Sequence, residues 1–86
     1  MSRSSLHSDE NKILVAFLVK TRKSLSVTQV ELAERLNKSQ QYVSRYEGGE
    51  RRIDLLEFIA IARALKLDPP QLLGQIVKKL PKSFDV

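Results

Sequence analysis

Cysteine is absent from the chain, and histidine occurs once, as His7. The first absence excludes a disulfide framework and a thiolate metal site, and a single imidazole cannot build a metal site alone. The longest apolar run, Ile13 to Val19, is seven residues, where a membrane span needs about 20. Met1 to His7 lack the apolar core of a secretion signal, so no membrane partner and a cytoplasmic protein are expected. Also missing are a glycine-rich phosphate loop, a histidine–carboxylate arrangement and metal-ligand spacing, which argues against catalysis and leaves no cofactor to expect. No segment alternates apolar and polar residues with period two, so no strand is predicted. Internal repeats, low-complexity tracts and interdomain linkers are absent too.

What remains is 86 residues, 42% of them apolar and 29% charged, with a net charge of +5. That length supports one domain and one modest core, burying roughly 60% of the unfolded surface. Residues 1–27 hold 5 basic and 2 acidic groups, whereas 28–53 and 54–86 each hold 5 and 4. The positive excess is therefore spread along the chain and heaviest at its start. A polyanionic partner is compatible with this balance but is not required by it.

The pattern predicts five helices and an all-α fold. Residues 1–8 are polar and expected to be flexible, 9–80 form the domain, and 81–86 are a tail. The first helix is placed at Asp9 to Lys23, with acids at its positive end and Lys20, Arg22 and Lys23 at its negative end. Leu14, Phe17, Leu18 and Thr21 would face inward. Thr28 and Glu31 read as a capping box opening a second helix, Gln29 to Leu36, which buries Leu32, Ala33 and Leu36. Asn37 suits a left-handed turn, and Ser39 caps a third helix, Gln40 to Glu47, closed by Gly48-Gly49. Asp54 caps a fourth, Leu55 to about Lys66, with Leu55, Phe58, Ile59, Ala62 and Leu65 inward. Asp68-Pro69 opens a fifth that runs to Lys79.

The third helix carries the functional signal. It has only Val43 and Tyr46 to bury, while Gln40, Gln41, Ser44 and Arg45, at i, i+1, i+4 and i+5, share one outer face. The DNA major groove admits such a helix. There glutamine pairs with adenine N6 and N7, and arginine with guanine O6 and N7. The same face would serve equally well as a plain solvated surface.

From Thr28 to Gly49 the chain resembles the signature of the XRE/Cro-type helix-turn-helix family, with Thr28-Gln29, Ala33, Val43, Glu47 and Gly49 in register. The resemblance extends over about Leu14 to Leu73. It implies a compact, five-helix, lambda-repressor-like domain acting as a homodimer on a two-fold symmetric operator in double-stranded DNA. It further implies that Gln40, Gln41, Ser44 and Arg45 read bases. Thr28, Gln29, Ser39, Tyr42, Gly48, Arg51 and Arg52 would meet the DNA backbone, and Arg22 and Glu47 would form a structural ion pair. Glycine is common in the family at three positions held here by Ser26, Asn37 and Lys66, which bears on the loop conformations.

Leu72, Leu73, Ile76, Val77 and Leu80 are more apolar surface than one helix needs. They either close the core or form a dimer seam, and the resemblance favours the seam. Two other readings stay open. One is an antitoxin whose apolar C-terminal region holds a toxin, and the other is a helix-turn-helix scaffold that no longer binds DNA.

Overall fold

A computed structural model describes residues 8–85. It contains α1 (Asp9–Ser24), α2 (Gln29–Leu36), α3 (Gln40–Glu47), α4 (Leu55–Ala64) and α5 (Pro69–Lys79), and no strand among the described residues. Each helix begins where a short polar side chain can take up an orphan backbone N–H. Ser8, Thr28, Ser39, Asp54 and Asp68 accept from Asn11, Glu31, Tyr42, Glu57 and Gln71 respectively. Ser8 falls in the stretch expected to be flexible, yet its side chain caps α1 and the residue is buried. Residues 1–7 and 86 lie outside the described residues.

The other helix ends follow one rule. The chain leaves α1, α2, α3 and α4 through Ser26 (φ 58°), Asn37 (φ 55°), Gly49 (φ 78°) and Lys66 (φ 62°). At each, the following N–H reaches back five residues: Val27 to Arg22, Lys38 to Ala33, Glu50 to Arg45 and Leu67 to Ala62. This is the Schellman arrangement, which satisfies carbonyls the helix leaves open and favours glycine at the left-handed position. Only one of the four is glycine. The three positions where the family commonly has glycine thus keep the left-handed conformation, at a cost of about 1–2 kcal/mol for a residue with a Cβ. Asn37 bears that cost most easily. Lys66 also ends α4 two residues before the expected boundary.

Among the described residues, twelve buried hydrophobic side chains make the core. They are Leu18, Val27, Leu32, Ala33, Val43, Tyr46, Phe58, Ile61, Ala62, Leu65, Leu72 and Ile76. α2 packs on α3 and α4, while α1 packs on α3 and α5, and α4 meets α5. Leu14, Phe17, Leu36 and Ile59 cover the core from its margins. The expected inward face of α4 needs correction. Ile61 is buried, whereas Leu55 is 61% exposed. Leu55 lies one turn before Phe58 on the same stripe, but at the first position of the helix it overhangs the edge of the layer beneath.

The expected seam on α5 divides in two. Leu72 and Ile76 belong to the core of the single chain, at 4% and 3% exposure, so they have no surface to give a second copy. Leu73 and Val77 point outward and Leu80 is half-buried. The three-to-four spacing places 72 and 76 on one side of the helix and 73 and 77 on the next.

Candidate nucleic-acid interface

α3 is anchored from below and bare above. Val43 and Tyr46 are essentially inaccessible, and Gln40, Gln41, Ser44 and Arg45 are all exposed. Eight residues could not hold a stable helix in isolation; packing on α2 and α1 holds it. Among the described residues the Tyr46 hydroxyl is buried without a hydrogen-bond partner. Burial, helped by the Glu47 charge, pushes its pKa far above the ordinary tyrosine value.

A chain of hydrogen bonds links the last residue of α3 to its first. The Arg22 guanidinium, buried on α1, donates from Nε to Glu47 Oε2 at 2.7 Å and from Nη2 to Glu47 Oε1 at 2.9 Å. Its Nη1 donates to the Val27 carbonyl at 2.7 Å. The bond to Glu47 raises the Arg22 pKa against the opposing effect of burial. Glu47 Oε1 accepts a further bond, from Gln29 Nε2 at 2.9 Å, and Gln29 Oε1 accepts from Gln40 Nε2 at 3.3 Å. One buried ion pair therefore ties α1 to the end of α3 and, through Gln29 at the start of α2, to the exposed Gln40. A pair of this kind fixes geometry more dependably than it adds stability.

A second cluster surrounds Tyr42. Its hydroxyl donates to Glu57 Oε2 at 2.5 Å, and Arg51 Nη1 meets the same oxygen at 2.7 Å. The Arg51 guanidinium lies 4.9 Å from the Tyr42 ring centre and Lys38 Nζ 5.5 Å, both within cation–π range. The other oxygen of Glu57 accepts from the Asp54 N–H and closes the capping box of α4. Burial alone would raise the Glu57 carboxyl. The bonds from Tyr42, Asp54 and Arg51, with the Arg51 charge, outweigh it and hold the pKa below the ordinary carboxylate value. Tyr42 is pushed up to about 12 by burial first and then by its bond to the Glu57 carboxylate.

The remaining residues expected at the DNA backbone sit at helix ends and in the loop after α3. Thr28 and Ser39 are exposed, and their hydroxyl oxygens are occupied as helix caps. Gly48 is exposed at the C-terminus of α3, and a Cβ there would come within 3.1 Å of the Ser44 carbonyl oxygen. Arg52 is exposed, whereas Arg51 is shared with Glu57.

The helix-turn-helix family model matches residues 18–72, well over half of the chain. The chain belongs to the XRE-type helix-turn-helix family. An XRE-family-like protein from Pseudomonas syringae pv. tomato is 35% identical, with 90% of this chain and 94% of that one covered and a TM-score of 0.80. The restriction-modification controller C.AhdI from Aeromonas hydrophila is 28% identical over 74% of this chain and 96% of its own, at a TM-score of 0.64. The restriction-modification controller C.Esp1396I, solved as a tetramer with its natural 35 base-pair operator, shares the fold. Its TM-score is 0.77 at 20% identity, over 85% of this chain and 96% of that one. Comparison with curated proteins gave no match. The XRE family is one of DNA-binding regulators of transcription.

Two members of the site escaped the sequence reading. Glu57 could have been found in part, since Asp54-x-x-Glu57 has the capping-box spacing. Its second role, on Tyr42 and Arg51, arises from tertiary packing. Lys38 against the Tyr42 ring left no signal beyond its charge.

Proposed function

We propose that this XRE-family chain is a homodimeric, sequence-specific regulator of transcription. It lays α3 in the major groove of a two-fold symmetric operator. One observation carries the reading. Gln40, Gln41, Ser44 and Arg45 form an exposed polar face on a helix fixed from behind by Val43 and Tyr46. That is the stiff presentation base reading needs.

Gln40, Gln41 and Arg45 supply the groups that match adenine and guanine edges, with Ser44 beside them. Gln29, Thr28, Ser39, Tyr42, Gly48, Arg51 and Arg52 border this face and meet phosphate. Basic contacts provide most of the affinity and make it fall with salt.

The dimer seam we propose uses the apolar surface that the single chain leaves open. Leu73 and Val77 of α5 are exposed, and Leu73, Leu55, Leu80 and Phe84 line a shared groove of about 230 Å³. Two copies joined there would set their α3 helices in successive major grooves, about 34 Å apart. The action is steric, through occupation of promoter DNA, and the protein works in the cytoplasm without a cofactor. The same apolar surface would suit a toxin in the antitoxin reading.

Selection of bound duplexes from a random pool, followed by salt titration, tests the proposal. The expected result is a symmetric consensus with affinity falling linearly in log salt. Failure to enrich any duplex over random sequence would reject base reading and leave a scaffold. Sedimentation of the chain alone separates a self-associating seam from one that waits for another protein.

A further inference from the structure

We propose that Glu57 is an internal competitor for DNA phosphate, one that holds down the sequence-independent affinity of this chain. The inference rests on the reading of Tyr42 and Arg51 as phosphate contacts, and it follows from what those groups touch before any duplex arrives. Both already grip an anion. The Tyr42 hydroxyl donates to Glu57 Oε2, and Arg51 Nη1 meets the same oxygen at 2.7 Å. A hydroxyl has a single O–H to give, and carboxylate and phosphate oxygens only accept. Tyr42 can therefore bond Glu57 or a phosphate, but not both at once. Arg51 has N–H donors to spare, so it can keep Glu57 and still reach a phosphate, though with much of its charge offset.

The carboxylate is held in place for this role. Its other oxygen accepts from the Asp54 N–H at 2.9 Å, so the capping box of α4 fixes the side chain at the helix start. Lys38 and Arg51 confine the Tyr42 ring, at 5.5 and 4.9 Å from its centre. The Glu57 side chain is 20% exposed and that of Arg51 43%, sheltered enough to keep the pair and open enough for a duplex to reach it. Glu50 makes the contrast. It is exposed in the loop before α4 and carries no ion pair among the described residues. Phosphate contacts carry affinity without sequence information. A carboxylate that competes for them leaves a larger share of the grip to the outer face of α3.

The test titrates salt against binding of a random-sequence duplex and of the selected operator. Glu57→Gln removes the charge and keeps a residue that the capping box accepts. It should bind both duplexes about tenfold more tightly, the scale of a freed hydrogen bond to a charged group. Its salt slope should steepen by about one, as Arg51 regains its full charge. Glu50→Gln measures the loss of a nearby negative charge alone and should gain less. In a background of Tyr42→Phe with Arg51→Ala, the gain from Glu57→Gln should shrink to that of Glu50→Gln, because the competition needs both partners. If Glu57→Gln fails to fold, Glu57→Ala decides the matter, since the Asp54 carboxylate still caps the backbone N–H of residue 57. Unchanged or weaker binding by the folded variant overturns the proposal and leaves DNA reading intact. So does a gain that matches Glu50→Gln or persists in full in the doubly substituted background. A wild type with no salt-sensitive binding to any duplex overturns both.

Discussion

Lys66→Gly should make the protein more stable although it removes a side chain and adds no contact. Lys66 sits at φ 62° and is exposed, so its side chain buries little that glycine would lose. The left-handed conformation costs a residue with a Cβ about 1–2 kcal/mol, and glycine pays nothing for it. Against this, glycine enlarges the unfolded ensemble, a loss of about 0.4–1 kcal/mol. The expected net gain is about 0.5–1 kcal/mol, which for a domain this size raises Tm by roughly 3–7 °C. Ser26→Gly, at φ 58° and also exposed, should gain a similar amount. Asn37→Gly should gain close to nothing, because asparagine already tolerates this conformation. Gly49→Ala, at φ 78° with no atom within 4 Å of the added Cβ, should lose about 1 kcal/mol through backbone strain alone. Urea and thermal unfolding followed by circular dichroism at 222 nm would measure all four. The ordering across the series is the test, and a loss of stability in both Lys66→Gly and Ser26→Gly would refute the strain argument.

Other expectations bear on the site. Arg45→Ala should cost about 1–3 kcal/mol on the selected operator and relax one base pair, whereas Arg52→Ala should weaken all sequences alike and flatten the salt slope by about one. Equal losses on operator and random DNA for Arg45→Ala would contradict its role as a reader. Arg51→Ala should flatten the slope less than Arg52→Ala, since Glu57 already offsets much of its charge; equal slopes in an electrophoretic titration would argue otherwise. Leu73→Glu with Val77→Glu should shift sedimentation toward monomer without unfolding the chain, because both side chains are exposed; unchanged association would move the seam elsewhere. Both tyrosines should ionise above the ordinary value of 10, with Tyr42 near 12. A tyrosine pKa raised by folding contributes stability that is complete below about pH 10 and is lost as pH climbs through the folded value. Absorbance at 295 nm should therefore lag free tyrosine, and Glu57→Gln should bring Tyr42 down. A Tyr42 titration unmoved by that substitution would deny the hydroxyl–carboxylate contact.

The starts of the helices were legible because each depends on one or two residues read locally. Thr28, Ser39, Asp54 and Asp68 cap the helices they were expected to cap. The anchors of α3 were legible for the same reason, since Val43 and Tyr46 are its only candidates for burial. Helix ends were harder. Ser26 and Lys66 hold a conformation their side chains disfavour, and only the tertiary return of Val27 and Leu67 to the core explains it. On α4 periodicity placed Phe58, Ala62 and Leu65 correctly but missed buried Ile61, and it did not show where the layer beneath stops, which is why Leu55 was misjudged. On α5 it gave five apolar residues without separating Leu72 and Ile76 from their outward neighbours. The bonds from Gln29 to Glu47 and from Tyr42 to Glu57 cross 18 and 15 residues. Donor–acceptor pairs that far apart have no local pattern to betray them.

The placement of Arg22 has a consequence for heat. Its one guanidinium spans the end of α1, the loop carbonyl of Val27 and the last residue of α3, and Gln29 hangs from the same carboxylate. Fraying any of those three strips a partner from a buried ion, so the reading surface cannot loosen while the remaining helices stay in place. On warming, loss of the α3 surface and global melting would then fall in a single transition, with no softened yet folded species between them.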